Sequence, residues 1–150
     1  MTVAKSRRVA QWRMAWAGLA VAIAIHVVDE TWNDFLSFYN PAVDGIRADY
    51  PWVPLPTFSF DQWLLGLILG ILLLVGLTPF VSLGRPWIRL LSYALAVLMI
   101  VNALGHTLIS IWLREPMPGA FSSPVLLVTA IALLVTTWRA QVARIEQNAH

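Results

Sequence analysis

The sequence predicts an all-α integral membrane protein: a four-helix bundle with one long extracytoplasmic loop. Three observations point there. Of the 150 residues, 59% are hydrophobic and 12% charged, whereas soluble domains are about half apolar and a quarter charged. The apolar residues are grouped in runs rather than spread with period two or 3.6. Four of these runs reach the roughly 20 residues that cross a hydrocarbon core of about 30 Å. The chain reads as a single domain over 1–150, without repeats or low-complexity segments.

The spans run from about Trp12 to Trp32, Phe60 to Leu83, Trp87 to Trp112 and Phe121 to Trp138. Tryptophan marks five of these eight ends, as expected of rings that prefer the headgroup level. In the first span, a basic segment leads into an apolar run ending Ala22–Ile23–Ala24, so a cleaved signal peptide competes with a retained helix. Gly66 and Gly70 give the second span a small-xxx-small face suited to close helix packing. Asp61 and Gln62 stand at its solvated entrance. A tight Gly84–Arg85–Pro86 turn leads to the third span, and Pro116–Met117–Pro118–Gly119 turns the chain into the fourth, which opens with Ser122, Ser123 and Pro124. From Arg139 to His150 the last helix has a polar continuation, in which the terminal His150 is expected to be inert.

Orientation follows from the cations. Lys5, Arg7, Arg8, Arg13, Arg85, Arg89, Arg139 and Arg144 flank one side of the spans, and only Arg47 and Arg114 the other. The excess of positive charge on the inner side places both termini in the cytoplasm, in a protein of a bacterial inner (plasma) membrane. The net charge of +2 therefore reports topology and implies no nucleic-acid partner. The absence of cysteine excludes disulfides, thiolate metal sites and cysteine nucleophiles. The outer segment from Asn33 to Ser59 carries Pro41, Pro51, Pro54 and Pro56 among Phe35, Phe38, Tyr39, Tyr50 and Trp52. It is stiff and aromatic, either a cap over the outer mouth or a partly ordered loop on the headgroups.

Two spans break the apolar pattern. The first carries His26, Asp29 and Glu30 at i, i+3 and i+4, with Trp32 beyond and Asn33 extending the face. The third carries Asn102 and His106 at i, i+4, with Gly105 leaving room beside His106 and Ser110 and Trp112 beyond. Ionisable groups inside a bilayer cost a few kcal/mol each and usually mark function. Each histidine lies six residues before its tryptophan, about 9 Å along a helix. His26 and His106 are thus expected at one depth in the outer half of the membrane. If the first and third spans are neighbours, their polar faces form one cluster.

The His26–Val27–Val28–Asp29–Glu30 string, the later Asn102/His106 pair and Pro118–Gly119 together resemble the HXXEE family of small four-span membrane proteins. His26 and Glu30 match the motif, and Asp29 stands where the motif has its first Glu, one methylene shorter. The resemblance spans most of the chain and implies an enzyme-like site without naming a reaction. A looser architectural similarity is to the emopamil-binding-protein class of membrane isomerases, which also set a His and acids in a lipid-facing cavity.

The leading expectation is acid–base catalysis on a hydrophobic, isoprenoid- or sterol-like lipid: isomerisation, cyclisation or epoxide opening. A carboxyl group in an apolar surround can hold its proton near neutral pH, so Glu30 or Asp29 donates and His26 or His106 accepts. Asn102 orients a histidine or binds developing charge. Trp32, Asn33, Trp52, Ser110 and Trp112 are the expected substrate contacts. No cofactor is required in that scheme. The alternative is a Zn or non-haem Fe site on His26, Glu30 and His106. A non-enzymatic lipid-binding or proton-coupled transport role is the third, and a homo-oligomer is left open.

Overall fold

A computed structural model describes residues 3–148, with side chains over 6–145; the Lys5 side chain and His150 lie outside the described residues. The chain forms α1 (Val3–Trp32), α2 (Phe35–Asp49), α3 (Phe60–Ser82), α4 (Pro86–Leu113) and α5 (Ser123–Asn148). Helices α1, α3, α4 and α5 are long and apolar enough to cross a membrane, and they coincide with the four expected spans. Among the described residues there is no strand.

Local chemistry sets the boundaries. Ser59 and Gln62 form a capping box at the start of α3, Ser59 Oγ accepting from the Gln62 N–H and the Gln62 side chain accepting from the Ser59 N–H. Two of the orphan donors of a helix start are thereby satisfied. Gln62 is thus a cap as well as a solvated surface residue. At the turn between α3 and α4, Gly84 adopts a left-handed φ of 61°, and Pro86 opens α4 where its missing N–H costs nothing.

The core follows the helical period. Trp12, Trp16 and Leu19 of α1 are buried, as are Ile88, Ala96 and Ala103 of α4 and Leu126, Ala130 and Leu133 of α5, apolar stripes at three- and four-residue spacing. Helix α5 packs against both α1 and α4, and α1 packs against α3. The buried indoles are anchored by hydrogen bonds, Trp12 Nε1 to Ser92 Oγ at 3.1 Å and Trp16 Nε1 to the Leu74 carbonyl at 2.9 Å. On α3 the leucines at 65, 69, 72 and 73 are more than half exposed. So large a bare apolar surface fits a hydrocarbon solvent better than water.

Four expectations need correction. The outer segment contains α2, a 15-residue helix that runs through Pro41. Proline costs an interior hydrogen bond, and that cost is outweighed here by aromatic packing: Phe35 stacks on Tyr39 and Trp63, and Tyr39 on Phe58. Trp12 is no belt residue, because its ring is buried in the core. Gly66 and Gly70 mediate no close approach; a Cβ added at either would meet open space. The first and third spans, α1 and α4, are not packed neighbours along their length, since α5 lies against both.

Candidate functional site

The histidines nevertheless meet. Near the loop end of the bundle their ring centroids are 4.8 Å apart in an edge-to-face arrangement. Glu30 lies between them, with Oε1 3.3 Å from His106 Nε2 and 3.5 Å from His26 Nε2. All three residues are 5–6% exposed. Their ligating atoms fall within 4.8 Å of one another.

The helix periodicity brings His26 and Glu30 together on α1. The α4–α5 connection supplies the rest. Helix α4 ends at Arg114, a left-handed residue with φ 59°. Ser110 Oγ then accepts from the Met117 N–H and donates to the His106 carbonyl, tying the connection to α4. The chain next presents the Pro118 carbonyl to His106 Nδ1 at 2.6 Å. Gly119 follows at φ 86°, so close to the site that a Cβ there would lie 2.8 Å from both imidazoles. Ser122 completes the frame. Its Oγ is 2.7 Å from His26 Nδ1 and donates to Asp29 Oδ2, also at 2.7 Å, while its N–H donates to the same carboxylate oxygen.

These contacts favour one tautomer of each ring. A carbonyl can only accept, so His106 carries its proton on Nδ1. The Ser122 hydroxyl donates its single hydrogen to Asp29 Oδ2, which leaves an oxygen lone pair to accept from His26 Nδ1. Both rings then turn Nε2 toward Glu30. Consistent with this, His26 Nε2 is buried without a hydrogen-bond partner.

The other sequence candidates are placed differently. Asp29 is one hydroxyl away from the centre and buttresses His26 through Ser122. Asn33 binds Asp29 through its side-chain amide. Asn102 makes no hydrogen bond to either histidine, and its Oδ1 is buried without a partner. Ser110 shapes the connection instead of facing the rings. Trp32, Trp52 and Trp112 are each at least 80% exposed, and Trp52 meets Tyr50 at 6.4 Å. Four contributors were not among the expected site residues: Ser122, Gly119, Phe35, whose ring lies 5.9 Å from His106, and Pro118, whose carbonyl meets His106 Nδ1. The first two stand in the segment already singled out as the entry to the last helix. Phe35 carried no signal beyond being aromatic.

The profile of the HXXEE proteins, described as a protein of unknown function with HXXEE motif, matches residues 16–135. The chain belongs to the HXXEE family. The match runs from α1 into α5, so it covers both histidine-bearing helices and the connection that frames them. No curated protein and no solved structure matches the chain significantly. In this HXXEE protein the motif's first and last residues, His26 and Glu30, converge with His106, and its fourth residue, Asp29, supports His26 from outside the centre.

Proposed function

We propose that His26, Glu30 and His106 hold a divalent transition-metal ion, Zn²⁺ first and Fe²⁺ as the alternative, and that the centre acts on a hydrophobic substrate from the bilayer. One observation carries this: both imidazole Nε2 atoms and a carboxylate oxygen converge, while both Nδ1 atoms are engaged by other groups. Three acceptors converging in a buried site repel unless a cation sits among them. Two of the three separations, those from Glu30 to each ring, match one directly. Ligand atoms at about 2.0–2.1 Å from a tetrahedral Zn²⁺ stand about 3.3 Å apart, against 3.3 and 3.5 Å here.

Two histidines and one carboxylate leave a coordination position open for water or substrate. A metal ion held by His26, Glu30 and His106 would supply Lewis-acid chemistry there, polarising a carbonyl or phosphoryl oxygen or activating a water. The Asp29–Ser122–His26 chain and the Pro118 carbonyl orient the ligands, as outer hydrogen-bond partners do in metal sites. The membrane-spanning helices that carry the site favour a lipid-like substrate with one polar group near Glu30.

A second reading uses the same atoms with a proton as the cation. A proton on Glu30 or on one Nε2 also relieves the clash of acceptors, and the 3.3 Å Glu30–His106 separation suits acid–base transfer. Glu30 then donates and a histidine accepts, in isomerisation, cyclisation or epoxide opening of an isoprenoid- or sterol-like lipid.

Metal content separates the two. The protein, purified in detergent, is expected to bind about one equivalent of Zn²⁺ or Fe²⁺ per chain, and Glu30→Gln and His106→Ala are expected to lose it while remaining helical. Wild-type protein that binds Zn²⁺ and Fe²⁺ no better than these variants overturns the metal centre and leaves the acid–base scheme.

A further inference from the structure

At the opposite end of the bundle, where both termini lie, a cavity of about 600 Å³ opens between α1, the α3–α4 turn and α5. That volume falls within the ~300–1,000 Å³ of small-ligand sites. Arg8, Arg85, Arg89 and Arg144 line it together with Trp12 and Ala143. Each of the four arginines comes from a different place: α1, the turn, the first turn of α4, and α5. Among the described residues no acidic side chain lines the cavity or pairs with these arginines; the Glu146 side chain lies outside the described residues. The partners they do have are weak, Arg8 to the Arg139 carbonyl at 3.5 Å and Arg144 to the Gly84 carbonyl at 3.4 Å, so most guanidinium N–H groups stay available. The wall also includes the start of α4, whose N-cap Arg85 offers no side-chain acceptor. Its free N–H groups and helix dipole add to the attraction for an anion.

We propose that this cavity binds the phosphate-bearing headgroup of an anionic lipid from the leaflet on that side. Guanidinium forks suit phosphate oxygens in bidentate pairs. The buried Trp12 and the alanine wall beside them suit the glycerol and upper acyl chain of an amphiphile better than a fully hydrated ion. A topology signal alone requires cations near this end, and exposed Arg13 and Arg139 supply that without entering the cavity. It does not require four arginines from separate elements to converge on one hollow. The inference is independent of the metal centre, which sits at the other end of the bundle.

The test compares two variants of equal charge, Arg85→Gln/Arg89→Gln in the cavity and Arg13→Gln/Arg139→Gln outside it. Full-length protein is placed in nanodiscs of phosphatidylcholine with 10–20% phosphatidylglycerol, a range chosen to keep anionic lipid limiting. Lipid co-purifying after detergent exchange is then counted per chain. Wild type and Arg13→Gln/Arg139→Gln are expected to retain phosphatidylglycerol over phosphatidylcholine, and the cavity variant to lose at least tenfold of that preference with unchanged helicity. Equal retention by the two variants overturns the cavity in favour of general surface charge. A cavity variant that does not fold is replaced by Arg89→Gln alone, with the same expectation of a lost preference. Added pyrophosphate is expected to protect wild type from heat less than phosphatidylglycerol does. Equal protection puts the ligand in solution and overturns the lipid assignment.

Discussion

Gly119→Ala is the substitution that tests how the centre is built. Gly119 has φ 86°, and an alanine Cβ would lie 2.8 Å from His106 Cε1 and Nδ1 and from His26 Cε1. Ordinary contact begins near 3.4 Å, so one or both rings must retreat by about 0.6 Å, three times the ~0.2 Å tolerance of a metal–ligand distance. Neither ring is free to retreat. His106 is held by the Pro118 carbonyl at 2.6 Å and His26 by Ser122 at 2.7 Å. Moving the backbone instead does not help, since a left-handed φ costs a residue with Cβ about 1–2 kcal/mol. We expect Gly119→Ala to weaken metal binding by 10- to 100-fold, the size of effect seen when supporting groups around a metal are lost. Zn²⁺ competition against a chromophoric chelator measures this, with circular dichroism as the check on folding. Gly105→Ala is the control, because nothing lies within 4 Å of a Cβ there. Wild-type Zn²⁺ affinity in a helical Gly119→Ala protein would refute the picture of rings clamped by the connection.

Other perturbations reach the same site from different sides. Ser122→Ala removes the group between His26 and Asp29 and is expected to lower Zn²⁺ affinity 10- to 100-fold, with Asp29→Asn giving a similar loss; unchanged affinity in both would show that His26 needs no buttress. Phe35→Ala strips the ring that lies 5.9 Å from His106 and is expected to raise the rate at which a chelator extracts bound Zn²⁺ severalfold; an unchanged rate means that access runs elsewhere. Reporter fusions are expected to find both termini cytoplasmic and the segment between α1 and α3 outside, because eight of ten cations flank the inner side. A C-terminus found outside would invert the topology and put the histidine centre in the inner half.

The spans were legible because apolar length is a coarse, additive signal. Helix α2 was not, since its sequence holds Pro41 and Gly45 and its stability comes from stacking of Phe35 and Tyr39 on Trp63 and Phe58, residues well separated in the chain. The tryptophans misled for a related reason. Trp12 and Trp32 look alike in sequence, yet one is buried and the other 85% exposed. What separates them is a hydrogen-bond partner on another helix, Ser92 of α4.

For the site, local period and depth carried the assembly of His26, Glu30 and His106, even though the expected contact between their helices does not run along the bundle. Each histidine precedes its terminal tryptophan by six residues, and two imidazoles at one depth can touch across a gap that backbones leave open. The long reach of a histidine therefore makes depth a better guide than helix adjacency. What depth does not specify is the proton. The groups that meet the two Nδ1 atoms, Pro118 and Ser122, lie on a connection rather than on a periodic face. The connection brings a carbonyl to one Nδ1, a hydroxyl to the other and a residue without Cβ between the rings. Both histidines are thereby held with Nε2 toward Glu30. The motif His26–Asp29–Glu30 supplies half of the cluster, and the turn before the last helix sets how the two rings face it.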